Sequence, residues 1–105
     1  MINVGVTRVS PDKTERLRSW LAEVQTRSEE ARVTLVREGV RHERALLVQT
    51  SDGPLLVYVV ECEDYDAARE AFARSEHPID LEHKRVMSEV RGEPVPAEVL
   101  LDMRA

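Results

Sequence analysis

The stretch Ser75-Glu76-His77-Pro78-Ile79-Asp80-Leu81-Glu82-His83 holds two of the chain's three histidines, six positions apart around one proline. Imidazoles beside carboxylates serve general acid–base catalysis, metal ligation and buried polar structure alike. With Pro78 as the first helical residue and His77 just outside, Ile79, His83, Val86 and Val90 share one stripe, with Met87 alongside. His83 is then on the buried side, and Asp80, three residues earlier, is in reach of it. His77 stands by the helix N-terminus, where free backbone N–H groups gather. Glu82, Arg85 and Glu89 point to solvent. The two imidazoles project roughly 120° apart on an ideal helix. No HExxH or paired-cysteine spacing adds ligands, so the pattern supports no metal site and no cofactor. Two readings stay open: His83 as a core histidine satisfied by Asp80, or an Asp80–His83 pair facing a cavity as orienting group and base.

Other polar groups are placed by strand alternation. Residues 2–9, INVGVTRV, set Ile2, Val4 and Val6 on one face and Asn3, Gly5 and Thr7 on the other. Asn3 is a catalytic candidate on an otherwise small face. Thr7 and Tyr58 are candidate lining for a ligand pocket. Trp20 and Tyr58 are read first as packing residues, since aromatics dominate core burial. Cys62 sits between Glu61 and Glu63, surroundings that disfavour a thiolate. No serine lies in a nucleophile-elbow context, and the four glycines do not cluster into a phosphate loop.

These groups need elements to hold them. A chain of 105 residues makes one domain, 1–105, with one modest core. A net charge of −5 argues against nucleic acid or an anionic membrane as partner, both of which call for clustered Lys and Arg. No apolar run approaches the roughly 20 residues of a membrane span. The N-terminus lacks a signal-peptide layout, and a lone cysteine fits a reducing cytoplasm. After the first strand, Ser10-Pro11-Asp12 opens a helix over 11–38 with apolar residues at Leu17, Trp20, Leu21, Val24, Ala31 and Leu35, stopped by Gly39. At about 40 Å it is longer than a small sheet can cover, so Thr26–Glu30 is expected to bend or to begin an overhang.

Strands 41–50 and 55–62 flank the turn sequence Ser51-Asp52-Gly53-Pro54. Asp64 caps a short helix with Tyr65, Ala68 and Phe72 in its stripe. A helix from Pro78 to before Gly92 follows, then a last strand over 95–104 with Pro96 at its lead-in. The order β-α-β-β-α(α)-β is an α+β, ferredoxin-like arrangement: a four-stranded antiparallel sheet with helices on one face. Residues 55–62 are apolar on both faces, with Leu55, Val57 and Val59 opposite Leu56, Tyr58 and Val60. A second copy over the open face, a homodimer enclosing a barrel, meets that need.

The runs RVSPDKTERLRSWLAEV, SDGPLLVYVVE and SEHPIDLEHKRVMSEV resemble a family of small bacterial and archaeal proteins described only as a domain of unknown function. The resemblance implies a place in the broad dimeric α/β-barrel group. That group includes cofactor-independent monooxygenases, heme-degrading monooxygenases and polyketide-cyclising or ligand-binding relatives. The heme-degrading branch pairs a first-strand Asn and a later His with a Trp near that His. Asn3 with His77 or His83 matches the first two, while Trp20 on the first helix departs from the third. The expectation is a cytoplasmic, dimeric small-molecule enzyme, a cofactor-independent monooxygenase or a cyclase/isomerase, with His83, Asp80, His77 and Asn3 as site candidates. A non-catalytic small-ligand-binding or regulatory module, or a structural dimerisation protein gripping its partner through the overhang, is the alternative.

Overall fold

Backbone pairing begins with β1 (Ile2–Val9), whose neighbour is not the next strand but the one after it. The computed structural model describes residues 1–105. A single 3-10 turn, Pro11–Lys13, leads into α1 (Thr14–Thr26) and α2 (Ser28–Glu38). β2 (Val40–Thr50) and β3 (Gly53–Cys62) form the hairpin, α3 (Tyr65–Arg74) and α4 (Pro78–Val90) follow, and β4 (Arg91–Pro94) closes the order. The sheet runs β2-β3-β1-β4, every pair antiparallel. This is the expected α+β, ferredoxin-like arrangement. No helix is long and apolar enough to cross a membrane.

The expected long helix breaks at Arg27, which leaves helical dihedrals at φ −102° and ψ 39°. Its guanidinium supplies the reason, pairing with Glu23 at 2.8 Å, Glu30 at 2.9 Å and Glu82 of α4 at 2.8 Å. Three carboxylates around one cation fold α2 back toward α4. α2 packs on β2 and α3 of its own chain, while its Val33 and Val36 stay exposed. Asp64 caps α3 through a bond from the Ala67 amide at 3.0 Å, and α4 starts at Pro78 with His77 as its N-cap, both as the sequence suggests.

One choice the sequence left open is decided here, and one expectation fails. The small face of β1, not its apolar face, lies under the helices. Thr7 and Val9 are buried there, while Ile2 and Val4 are 63% and 49% exposed on the open side. Residues 95–104 form no strand. The ladder ends where the Val95 amide donates to Val6 O at 2.8 Å. Pro94 and Pro96 lack the N–H needed to continue it, and Val99, Leu100, Leu101 and Met103 extend into solvent.

The interior divides into two apolar clusters. One joins Val9, Leu17, Trp20, Leu56, Ile79, Val86, Met87 and Val90. The other joins Val40, Cys62 and Ala68, with Leu35, Val60 and Tyr65 against it. The α4 stripe read from the sequence supplies four of the first cluster's eight members: Ile79, Val86, Met87 and Val90.

At the end of α2, Gly39 takes the left-handed conformation, φ 74°, with no neighbour within 4 Å of where a Cβ would sit. Gly39→Ala therefore meets no clash but adopts an unfavourable backbone region, costing about 1 kcal/mol. Urea denaturation measures this, and an unchanged midpoint would show that α2 does not need its left-handed cap.

Candidate functional site

The site grows from a gap between the two clusters, on the helix-covered face of the sheet. Gly5 of β1 stands directly opposite Tyr58 of β3, and the missing side chain leaves space beside the phenol. The Tyr65 hydroxyl hangs over this point, 3.9 Å from where a Cβ on Gly5 would lie. Asn3, Gly5, Tyr58 and Val60 are only partly buried despite lying under the helices, so a recess remains.

One chain of hydrogen bonds defines the chemistry there. The Trp20 Nε1–H donates to His83 Nδ1 at 2.8 Å, and His83 Nε2 lies 3.2 Å from the Tyr58 hydroxyl. An indole N–H can only donate. His83 Nδ1 must therefore be the bare nitrogen, and the neutral ring carries its proton on Nε2. Nε2–H then donates to the Tyr58 oxygen, which leaves the Tyr58 O–H with no protein acceptor. Phe72 packs its ring at right angles to the imidazole, centroids 5.8 Å apart.

Protonation of His83 is disfavoured on several counts. Burial pushes its pKa down to about 4, the nearby Asp80 pulls it back in part, and the positive charge of Arg91 lowers it further. A proton on Nδ1 would also face the Trp20 donor. Burial likewise raises the Tyr58 pKa, with Glu43 adding to the rise and Arg91 opposing it. His83 is thus held neutral, and Tyr58 stays protonated.

The expected Asp80–His83 bond does not form. Asp80 accepts instead from Ser75 Oγ at 2.6 Å, in the turn before α4. His77 faces the same turn, its Nδ1 accepting weakly from the Ile79 amide at 3.4 Å. Asn3 donates to Cys62 Sγ at 3.7 Å, on the recess side, and Thr7 is buried beyond Gly5. The structure therefore bonds Tyr58 to His83 and puts Asn3 on the same inner sheet face, while Asp80 and His77 make their bonds in the turn before α4.

Three groups were not legible as site residues: Trp20, Glu38 and Glu43. Trp20 sits in a core stripe like any packing aromatic, so only the fold reveals its N–H on His83. Glu43 is an acid on the inward-facing alternation of β2, two residues from Ala45, which pairs with Tyr58. That alternation was the available signal. Glu38 and Asp80 line a cavity of about 240 Å³ with Thr34, Arg37, Ala71, Arg74 and Ser75. Burial lifts Glu38 to about 7, with Asp80 and Glu43 adding to the rise and Lys84 opposing it. Burial and then Asp80 also raise Glu43, although solvent reaches its exposed carboxylate and softens the shift. No group of three or more His, Cys, Asp or Glu side chains is arranged to hold a metal ion.

Opposite shifts give opposite pH slopes. His83 is depressed below its ordinary 6.5, so its stabilising contribution is full above that value and is lost as pH falls toward 4. Glu38 is raised above 4.5, so its contribution is full below that value and is lost as pH rises through 7. Between these ordinary values the two oppose each other, and their slopes largely cancel. In Glu38→Gln, stability should climb by about 1–2 kcal/mol across that window, allowing for solvent screening. Urea midpoints at a series of pH values test this, and parallel curves for parent and variant would refute it.

Comparison with known proteins bears on the fold and the family. A solved structure of tetracenomycin F2 cyclase from Streptomyces glaucescens, a type-II polyketide cyclase, superimposes with a TM-score of 0.63 at 20% identity, covering 100% of this chain and 98% of that one. At such identity the two share a fold. Among curated proteins, none matches this chain. The model of a family described as "Family of unknown function (DUF6176)" matches residues 2–105, and the chain belongs to that family.

Proposed function

We propose that the protein is a cofactor-independent small-molecule enzyme of the cyclase/isomerase kind, acting on an enolisable carbonyl compound. The observation that carries this is the Trp20–His83–Tyr58 chain, which presents the Tyr58 O–H as a donor without a protein acceptor. A substrate carbonyl oxygen in the recess accepts that hydrogen bond. As an adjacent C–H bond breaks, its electron pair moves to the oxygen, where the pre-aimed donor stabilises the growing charge. Glu43 is the carboxylate suited to take the proton, since its pKa is raised and its charge is felt by Tyr58. The enolate then attacks a second carbonyl or is reprotonated elsewhere, and Glu43 returns the proton.

His83 acts by positioning and polarising Tyr58. It is not the base, because Trp20 occupies one nitrogen and the other carries a proton. The same occupancy leaves neither ring nitrogen of His83 free to hold a heme. The fold shared with a polyketide cyclase is compatible with this reading. A cofactor-independent monooxygenase would use the same donor on an electron-rich phenol and would consume oxygen. A ligand-binding module would hold the carbonyl compound without exchange.

We further propose a homodimer. Ile2, Val4, Leu46 and Val48 are exposed on the open sheet face beside Val6, Leu55, Val57 and Val59. A second copy over that face removes this apolar surface from water and closes a barrel.

Two measurements test these proposals. The parent should accelerate exchange of the α-protons of 2-tetralone into D2O, followed by NMR without oxygen uptake, and Tyr58→Phe should keep the fold yet lose at least a hundredfold in rate. Equal rates for parent and variant would overturn the enzymatic reading. Native mass spectrometry should find twice the chain mass, and the pair Val4→Lys and Leu46→Lys should give a folded monomer. A monomeric parent at micromolar concentration would remove the barrel.

A further inference from the structure

An open cleft of about 420 Å³ runs along α4, lined by Phe72, His83, Lys84, Met87, Ser88 and Arg91. Its chemistry is one-sided. Two cations line it and no carboxylate does, in a chain whose net charge is −5. Lys84 is held in place, its ammonium donating to Ala73 O at 3.0 Å and Ser75 O at 3.1 Å, above the Phe72 ring at 5.1 Å. The Ser88 hydroxyl is spent on Arg85 O at 2.6 Å. Arg91 takes part in none of the chain's ion pairs.

Arg91 therefore keeps a full planar set of donors facing the cleft, the geometry that matches a carboxylate with two parallel bonds. Its neighbours are apolar and soft: the Phe72 ring on α3 and the buried Met87 on α4. The wall is His83, the middle member of the donor chain. The charge of Arg91 is felt by both His83 and Tyr58, which places it on their side of the molecule.

We infer that this cleft binds a planar aromatic carboxylate, its anionic group on Arg91 and its ring between Phe72 and Met87, directed at the His83–Tyr58 donor chain. This rests on the reading of Tyr58 only for what happens to the bound molecule. The anchoring stands by itself. Lys84 adds a positive field, and its fixed ammonium cannot swing out to compete for the carboxylate. A neutral analogue leaves Arg91 solvated and gains only the ring contacts.

The probe is 1-hydroxy-2-naphthoate, compared with its neutral amide, 1-hydroxy-2-naphthamide. Titration calorimetry on the full chain measures affinity. The indole 15N–1H resonance of Trp20, the only tryptophan, reports whether the ligand reaches the wall through His83. The acid should bind at least tenfold more tightly than the amide, and raising NaCl from 0.15 to 0.5 M should weaken the acid alone. Arg91→Gln should lose at least tenfold for the acid and nothing for the amide, while Arg91→Lys retains part of the difference. A parent that binds neither compound at millimolar concentration, or binds both equally, overturns the inference. So does an Arg91→Gln protein that melts like the parent and binds the acid unchanged. Tyr58→Phe separates the two claims: acid binding that survives this variant but not Arg91→Gln leaves the anion anchor standing, whatever the tetralone experiment returns.

Discussion

An indole N–H donates and never accepts, and this one asymmetry orders the interior of the protein. Because Trp20 points its N–H at His83 Nδ1, the imidazole has one tautomer, its second nitrogen is a donor, and Tyr58 is left with a hydroxyl proton to offer. Three helices and a strand must agree for this to hold. α1 brings Trp20, α4 brings His83, α3 closes over the ring with Phe72, and β3 carries Tyr58 from below. The link between α1 and α4 is reinforced at the helix junction, where Arg27 gathers carboxylates from α1, α2 and α4. Each of those pairs is accessible to solvent and individually weak. Together they fix where the long helix turns, and hence how α1 lies beside α4.

The assignment of faces on β1 follows from the same need. A strand offering Ile2, Val4 and Val6 on one side and Asn3, Gly5 and Thr7 on the other would ordinarily bury the first set. Here the second set lies under the helices, with Gly5 opposite Tyr58 and the Tyr65 hydroxyl close by. The apolar set is turned outward, onto the face that a second copy is proposed to cover. A partly polar inner face and an apolar outer face of β1 are thus two consequences of one choice of facing.

Much of this arrangement was legible in the residues. The α4 stripe, the Asp64 and His77 caps, the Gly39 stop and the Asp-Gly hairpin are local patterns, and local patterns fix elements. The two-faced apolarity of β3 also announced an open sheet. The partner of His83 was not legible. Spacing along one helix favoured Asp80, three residues away, whereas the real partners are Trp20 and Tyr58, 63 and 25 residues away. Helical periodicity can say that a side chain points inward but not what meets it there. The last strand failed for another reason. Apolar composition marked 95–104, yet a strand needs a neighbour and an unbroken run of N–H donors, and the flanking prolines remove two of these.

The charges around the recess complete the physical picture. On one side, burial and then the charge of Asp80 raise the cost of ionising both Glu38 and Glu43, and Glu43 adds to the cost at Glu38. On the other, Lys84 and Arg91 line a cleft without a carboxylate. His83 and Tyr58 lie between the two, neutral and protonated. In the proposed enolisation, a proton moving from the bound carbon toward the acidic side would relieve crowding there, and the electron pair it leaves behind would move toward a donor backed by the cationic side. Both displacements run downhill in the same field. A titrating histidine in the middle would spoil this, since its charge would oppose the proton on one path and screen the cations on the other. Holding His83 neutral with a donor that cannot turn around is what lets the field act across the whole recess.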